Sequence, residues 1–343
     1  MDMHALAETA QALMRADRGL LAMDESTPTC NKRFAALGIA QTAEMRRAYR
    51  DMIVTTPGLG ESISGAILYD ETIRQQTNAG LPFAVALQQA GIAPGIKVDA
   101  GAKALAGFDG EEVTEGLDGL RGRLAEYAGM GARFAKWRAV IRIDAGKPTR
   151  GCLLANAHAL ARYAALCQEA GLVPIVEPEV LMDGEHTLQR CREVTEETLR
   201  VVFAQLVAMR VQLEGILLKP NMVLPGKDCA DQSDTETIAA ATVEAFLRTV
   251  PAAVPGIAFL SGGQSVELAS ARLNAMNARY RMQLPWALAF SFARAIQQPA
   301  LEAWRGVAAN VPAAQKLLAH RAACNRAARG GRYDAATDAP LQT

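Results

Sequence analysis

Short apolar runs alternate along the chain with longer segments whose apolar residues lie three and four positions apart. Short apolar runs bounded by glycine, proline or polar residues are typical of buried strands. Eight such runs are present, at residues 19–26, 64–71, 94–101, 132–143, 172–180, 214–220, 256–263 and 285–294. The spacing of three and four is typical of amphipathic helices and predicts them at residues 114–131, 155–171, 196–209 and 234–250.

The regular alternation of strand and helix indicates a parallel sheet. Eight such units that close on themselves form an α/β fold of the (β/α)8 TIM barrel type, and a doubly wound open sheet is the alternative. The count of eight favours the barrel. No glycine- or proline-rich linker divides the chain, and its last residues are small and polar. We therefore predict one catalytic domain over residues 1–329 and a short, flexible C-terminal tail over residues 330–343.

Composition and charge exclude several classes of protein. The 343 residues include 36 Lys and Arg against 36 Asp and Glu, so a basic surface for nucleic acid or an anionic membrane is not expected. The six cysteines are scattered without a CxxC pair, which indicates reduced thiols in a cytoplasmic protein. The chain has no signal-peptide pattern and no apolar run of membrane-spanning length. Its four histidines are not spaced as metal pairs, although carboxylate metal sites remain open.

Nearly every strand run ends in ionisable or anion-binding residues. Residues two apart on a strand have side chains on the same face. The pairs that share a face in this way are Asp24 and Ser26, Lys97 and Asp99, Lys136 and Arg138, and Glu177 and Glu179. The last three runs end with Lys219, Ser261 and Arg294. A single charge at a strand end is usually solvated. Mixed charges at the same end of at least five strands would be costly to bury unless they pair or take part in chemistry. This pattern predicts an active site at the C-terminal mouth of the barrel.

Two features predict that this site binds phosphate. Glycines in the SGG stretch at residues 261–263 let an anion approach the backbone N–H groups closely, and Arg294 offers a fork of donors. Phosphate sites in such barrels are often built from the ends of strands seven and eight. Arg33, Lys97 and Arg138 add cations, which favours a substrate with more than one phosphate.

Lys219 lies at the end of the buried run EGILLKP. Burial and a neighbouring ammonium, for which Lys136 is the candidate, are expected to lower the pKa of Lys219. Its neutral amine could then attack a ketone and form a Schiff base, with Glu177 as the general acid and base. Two further residues are given structural roles: Trp137 is predicted to face the helices, and His186 to lie in a loop.

Several ordered stretches, from about Leu20 to Arg329, resemble the class I fructose-bisphosphate aldolases. They are LAMDEST (21–27), GIKVD (95–99), GLDGL (116–120), FAKWR (134–138), VPIVEPE (173–179), LLKPNMV (217–223), FLSGGQS (259–265) and PWALAFSFARA (285–295). The resemblance implies a (β/α)8 barrel and a metal-free Schiff-base lyase, usually a homotetramer. It also implies reversible cleavage of fructose 1,6-bisphosphate to dihydroxyacetone phosphate and glyceraldehyde 3-phosphate in glycolysis and gluconeogenesis.

The resemblance also implies roles for individual residues. Lys219 corresponds to the imine-forming lysine, Glu177 to the proton-shuttling carboxylate and Asp24 to the group that handles the carbon-4 hydroxyl proton. Lys136 resembles the second lysine, and Glu179 a supporting carboxylate. The carbon-1 phosphate is expected at Ser261, Gly262 and Arg294, and the other end of the sugar at Ser26, Arg33, Lys97 and Arg138.

The sequence departs from the animal enzymes at three places. TPTCNKR follows Ser26 where they have TGSIAKR, Ala293 replaces a glycine, and the tail ends in Thr343 where theirs ends in a tyrosine. The same chemistry on fructose 1-phosphate or sedoheptulose 1,7-bisphosphate is an alternative. A non-catalytic scaffold that kept the barrel is another, although such a scaffold would not need Lys219, Glu177, Asp24 and Lys136 together.

Overall fold

Eight parallel strands close into a barrel, which confirms the predicted fold class. The computed structural model describes residues 3–338. Around the barrel the strands follow the order β1-β10-β9-β8-β7-β6-β3-β2, so each strand pairs with its neighbours in the chain apart from the inserted β4 and β5. Their bounds are β1 Gly19–Ala22, β2 Ile63–Leu68, β3 Ala93–Lys97, β4 Ala102–Ala104, β5 Glu112–Thr114, β6 Phe134–Ile141, β7 Val173–Val180, β8 Leu217–Leu218, β9 Gly256–Phe259 and β10 Ala287–Phe292.

Helices surround the barrel and connect its strands. Several begin at a side chain that accepts a hydrogen bond from the first turn, as Thr149, Thr187, Asp234 and Ser265 do. The bounds are α1 Met3–Leu13, α2 Thr27–Ala35, α3 Ala43–Val54, α4 Asp70–Ile73, α5 Phe83–Gln89, α6 Leu120–Gly129, α7 Arg150–Glu169, α8 Leu188–Ala208, α9 Thr235–Leu247, α10 Val266–Tyr280, α11 Arg294–Trp304 and α12 Val311–Arg329. Among the helices within residues 3–338, none is long and apolar enough to cross a membrane.

The barrel interior is filled by alternate strand residues. Its buried cluster combines Leu20, Ala22, Ile67, Phe134, Val173, Ile175, Leu217, Ala258 and Ala289 from the strands with Leu6, Ala10, Leu13 and Met14 from the N-terminal segment. The ring of Phe134 packs against the backbone of Gly95. A Cβ atom at position 95 would come within 2.2 Å of this ring, so the contact requires glycine. The intervening strand residues, such as Leu21 and Trp137, belong to a second cluster between the strands and the helices.

Two elements differ from the sequence prediction. The helix expected from residue 114 begins at Leu120, because Glu112–Thr114 pairs as an antiparallel hairpin with Ala102–Ala104. Gly116 has φ +126° and Gly119 φ +66°, conformations that L-residues rarely adopt and that separate the hairpin from the helix. The sixth strand of the barrel, β8, comprises only Leu217–Leu218, since a 3-10 turn precedes it at Leu213–Gly215.

The residues that follow α12 contact the body of the barrel as far as the structure describes them. The Tyr333 backbone N–H donates to Asn274 Oδ1 at 2.9 Å, and the carboxylate of Asp338 pairs with Arg321 and accepts from Tyr333 Oη. The predicted flexible tail extends to residue 343, and residues 339–343 lie outside the described residues.

Candidate active site

A cleft of about 260 Å³ opens at the carboxyl ends of the barrel strands. It brings together residues from β1, β6, β7, β10 and the segments that follow β8 and β9. Nine of the twelve predicted site residues line it: Asp24, Lys136, Arg138, Glu177, Glu179, Lys219, Ser261, Gly262 and Arg294.

The two-residue period of the strands explains this convergence. Phe134 and Ile175 lie inside the barrel, and two positions further along come Lys136 and Glu177. The same step leads from Leu217 to Lys219, which is 3% exposed. Because alternate side chains share a face, the apolar interior gives way to charged groups at the mouth.

Four charged side chains form a continuous chain across the centre of the cleft. Lys219 Nζ lies 3.1 Å from Glu177 Oε1, and Lys136 Nζ lies 3.2 Å from Glu177 Oε2. Lys136 Nζ is also 2.7 Å from Asp24 Oδ2. All four residues are buried. The carboxylate of Glu177 therefore stands between the two lysines, and a proton can pass between Lys219 and Glu177 directly.

These contacts favour the charged forms of Asp24, Glu177 and Lys136. Burial alone would raise the pKa of Asp24, but the positive charges of Lys136 and Lys219 outweigh it and lower the pKa to about 2. The pKa of Glu177 is lowered in the same way, against the effect of burial, by the two lysines. Burial would lower the pKa of Lys136, yet the carboxylates of Asp24 and Glu177 raise it. Asp24 is therefore a carboxylate at neutral pH and can accept a proton from a bound hydroxyl.

Arg138 and Glu179 form a second pair at the rim of the cleft. Arg138 Nε donates to Glu179 Oε2, and the Arg138 backbone N–H donates to Asp99 Oδ2 at 3.3 Å. Glu179 is 8% exposed, whereas 41% of the Arg138 side chain is exposed. The carboxylate thus fixes one edge of the guanidinium and leaves the remainder accessible from the cleft.

The opposite end of the cleft has the features of an anion site. Gly262 and Gly263 have φ +59° and +88°, left-handed conformations that glycine adopts readily and that are found in anion-binding turns. Ser291 Oγ is buried and has no hydrogen-bond partner among the described residues, so it is available to a ligand. Arg294 begins α11 and lines the same end. Ala293 precedes it and also lines the cleft.

Three predicted site residues do not line this cleft. Arg33 donates to the carboxylate of Glu25 and to Gln298 Oε1 at 3.1 Å. Ser26 Oγ lies 3.1 Å from Thr29 Oγ1, at the start of α2, where Pro28 occupies the first turn. Lys97 pairs with Asp99 at 3.2 Å and lines a larger cavity of about 940 Å³ beside the β4–β5 hairpin.

The sequence interpretation missed several groups around the site. Lys227 and Asp183 line the cleft and form an ion pair of 2.9 Å. Glu25, directly after Asp24, accepts hydrogen bonds from Arg33, Arg50 and Gln297. Glu25 could have been noted as a charge at the end of the first predicted strand, whereas Arg50 lies on α3, away from the predicted strands. Nothing in the spacing of the sequence links residue 183 to residue 227.

Two structural assignments from the sequence are confirmed. The Trp137 ring is fully buried and packs on Tyr163 of α7, with ring centres 5.5 Å apart, so it faces the helices. His186 lies in the loop between β7 and α8.

One cluster within residues 3–338 has the residue types of a metal site. His320, Cys324 and Asp338 place potential ligand atoms within 4.8 Å of one another. The carboxylate of Asp338 already pairs with Arg321 and accepts from Tyr333. A cation there would have to displace a guanidinium, and none of these residues lines the active-site cleft.

Comparisons with known proteins agree with this geometry. The family model described as fructose-bisphosphate aldolase class-I matches residues 5–342. A probable fructose-bisphosphate aldolase class 1 of Xanthomonas campestris pv. campestris is 55% identical over 97% of this chain and 99% of that protein. A fructose-bisphosphate aldolase of Echinococcus multilocularis is 50% identical over 97% and 92%. The aldolase of Plasmodium falciparum, solved with TRAP and a small-molecule inhibitor, superposes with a TM-score of 0.94 at 48% identity, over 96% of this chain and 95% of that one.

Proposed function

The chain belongs to the class I fructose-bisphosphate aldolases, and from that premise we propose that it reversibly cleaves fructose 1,6-bisphosphate through an imine on Lys219. The observation that carries the proposal is the contact of 3.1 Å between Lys219 Nζ and Glu177 Oε1 at the closed end of a polar cleft. A buried lysine beside a proton acceptor, at the bottom of a site with phosphate-binding features, is suited to attack a ketose phosphate.

Imine formation uses Lys219 and Glu177. Transfer of a proton from Lys219 to Glu177 leaves a neutral amine, which attacks carbon 2 of the ketose and gives a carbinolamine. Glu177 then returns the proton to the carbinolamine oxygen, which departs as water and leaves an iminium ion. The short distance between the two groups lets one carboxyl serve both steps.

Cleavage uses Asp24. Its carboxylate accepts the proton of the carbon-4 hydroxyl as the bond between carbons 3 and 4 breaks. The electron pair of that bond moves into the iminium ion, which becomes an enamine, and glyceraldehyde 3-phosphate departs. Protonation of carbon 3 and hydrolysis of the imine release dihydroxyacetone phosphate. Burial opposes a low pKa at Asp24, but the charge of Lys136 lowers it, so Asp24 stays a carboxylate that can accept the proton.

The remaining predicted residues hold the substrate in this proposal. Ser261, Gly262 and Arg294 bind the carbon-1 phosphate at one end of the cleft. Glu179 supports Arg138, which meets the other end of the sugar. Ser26, Arg33 and Lys97 do not line the cleft, and Arg33 would have to release Glu25 to meet the second phosphate with its full charge.

Three further features are proposed from the family: the reaction needs no metal, the active form is a homotetramer, and the protein works in the cytoplasm. The catalytic domain is proposed to comprise residues 1–329, as the sequence predicts. The pairing of Lys219 with Glu177 supports the first, because the imine supplies the electron sink that a metal would otherwise provide.

Borohydride trapping tests the proposal. Hydride reduces an iminium to a stable secondary amine, so incubation with dihydroxyacetone phosphate and borohydride should add the three-carbon unit to Lys219, located by peptide mass mapping. Lys219→Ala should lose both the label and the cleavage of fructose 1,6-bisphosphate. The matched control is Lys316→Ala, an exposed lysine on α12. A label on Lys136 or Lys97, with activity retained in Lys219→Ala, would contradict the mechanism.

The same preparations can be assayed with several ketoses. Fructose 1,6-bisphosphate should be cleaved faster than fructose 1-phosphate, because the second phosphate has cations available to it. Comparable rates would indicate that the cations assigned to the second phosphate do not contribute.

A further inference from the structure

The phosphate end of the cleft contains a cation that the family resemblance does not assign. A Cβ atom placed on Gly263 would lie 3.2 Å from Arg294 Nη2 and 3.4 Å from Lys227 Nζ. The guanidinium and the ammonium therefore converge on the same glycine, whose left-handed backbone follows Ser261 and Gly262. Two positive charges this close to one glycine repel each other, and an anion bound between them beside Gly263 would be stabilised by both.

The backbone holds Lys227 at this position. Gly226, Lys227 and Asp228 donate backbone hydrogen bonds of 2.7, 2.8 and 3.0 Å to carbonyls of the loop that follows β7. A Cβ atom on Gly226 would lie 2.1 Å from the Gly184 carbonyl oxygen, so this approach requires glycine. The placement of Lys227 beside the cleft is thus built into the connection between two strand ends.

The charges that line the cleft show which cations are free to meet a phosphate. Lys136, Lys219 and Arg138 each pair with a carboxylate that is buried, and such contacts are costly to break. The Arg294 guanidinium has no ion pair or hydrogen bond within residues 3–338. Arg294 feels the charge of Asp183 without an ion pair to it, so it offers its guanidinium to a phosphate monoester, which carries a charge between about −1.5 and −2 near neutral pH.

Lys227 can supply the second charge because its present partner is exposed. Its ammonium lies 2.9 Å from Asp183 Oδ1, and the two side chains are 43% and 54% exposed. An ion pair in contact with water contributes little stability and exchanges readily. Asp183 also lines the cleft, where its charge opposes that of an incoming phosphate.

We propose that Lys227 is a phosphate-binding residue that exchanges Asp183 for the carbon-1 phosphate of the substrate, together with Arg294 and the glycines at 262 and 263. The exchange leaves the carboxylate of Asp183 to solvent and pairs both free cations with the phosphate. This inference rests on the proposed function, because it takes the ligand to be a ketose phosphate held as an imine on Lys219.

The test measures the concentration of ligand that half-saturates borohydride labelling of Lys219. Wild type and variants are titrated with dihydroxyacetone phosphate and with dihydroxyacetone, which forms the same imine without a phosphate. Lys227→Met should raise the half-saturating concentration of dihydroxyacetone phosphate about tenfold, a value reduced for the partial exposure of the lysine. It should leave that of dihydroxyacetone unchanged. Lys227→Arg should remain close to wild type, since it keeps the charge.

The Asp183→Asn variant tests whether the phosphate competes with Asp183 for Lys227 or whether Lys227 merely lies near the phosphate. Without the competing carboxylate, dihydroxyacetone phosphate should bind several-fold more tightly than to wild type. Lys316→Met provides the control for loss of an exposed lysine, and thermal unfolding checks that each variant is folded.

Three results would overturn the inference. They are an unchanged half-saturation by dihydroxyacetone phosphate in folded Lys227→Met, an equal shift for both ligands, and weaker binding in Asp183→Asn. Failure of the proposed function looks different, because wild-type Lys219 would then carry no label with either ligand.

Discussion

Replacing Lys136 with methionine removes one charge from the centre of the site and keeps a side chain of similar length. Lys136 Nζ lies 2.7 Å from Asp24 Oδ2 and 3.2 Å from Glu177 Oε2, and all three side chains are at most 10% exposed. In the variant the carboxylates of Asp24 and Glu177 would remain buried with one compensating cation fewer. Breaking a buried ion pair from one side typically costs about 3–5 kcal/mol, and we expect the free energy of unfolding to fall by this order.

The contribution of Asp24 to the pH dependence of stability should become smaller in Lys136→Met. In the wild type its pKa lies at about 2 instead of the usual 3.8, because the lysines outweigh burial. A carboxyl whose pKa is lowered on folding stabilises the fold above its unfolded pKa. The contribution of Asp24, about 2 kcal/mol, is therefore lost as the pH falls from about 4 to about 2. In Lys136→Met burial still acts to raise the pKa of Asp24, and of the lowering charges those of Lys219 and Lys97 remain, so the pKa should move upward from its wild-type value. The stability that the charged Asp24 contributes above about pH 4 should then be smaller than in the wild type.

Two measurements check this reasoning. Urea unfolding between about pH 3 and pH 7 should show that Lys136→Met loses most stability relative to wild type at the upper end of this range. The acid limb of the cleavage rate should move to higher pH, because Asp24 must be a carboxylate to accept the hydroxyl proton. Lys316→Met should match wild type in both. A loss of stability in Lys136→Met that is the same at every pH, with an unmoved acid limb, would refute the electrostatic account of Asp24.

Two further changes are predicted. Gly263→Ala should weaken the binding of dihydroxyacetone phosphate at least tenfold in the borohydride titration, because its Cβ would crowd Arg294, touch Lys227 and strain a backbone at φ +88°. Wild-type affinity would show that no phosphate occupies this position. Cleavage should survive EDTA without loss, since the imine on Lys219 serves as the electron sink; activity abolished by EDTA and restored by zinc would indicate a metal mechanism.

The sequence was sufficient to predict the barrel because each strand carries its own signal. All eight predicted runs contain the observed barrel strands or overlap them closely, and the apolar residues that fill the barrel precede the charged ones by two positions. A two-residue period is a local property of the backbone. For that reason Lys136, Glu177 and Lys219 could be placed at one mouth without knowledge of the packing.

Contacts beyond the strand ends could not be predicted in the same way. After the last strand residue the backbone is no longer bound to a neighbouring strand, and tertiary contacts decide where a side chain points. Even at the last residue of β3 the long side chain of Lys97 turns to Asp99 and a separate cavity, and Arg33, on α2, turns to Glu25. The pairing of Lys227 with Asp183 depends on the approach of two loops 44 residues apart in the chain. The hairpin at β4 and β5 was missed because each strand has only three residues.

The order of charges across the site explains how protons can move where burial makes net charge costly. Asp24, Lys136, Glu177 and Lys219 alternate in sign, and each contact between neighbours is 3.2 Å or shorter. In the proposed mechanism, transfer of a proton from Lys219 to Glu177 converts an ion pair into two neutral groups and leaves the total charge unchanged. Lys136 stays cationic throughout, because the carboxylates that overcome its burial raise its pKa. The second lysine thus holds a fixed positive charge beside Asp24, which must remain a carboxylate, while in the proposed mechanism Lys219 attacks the substrate.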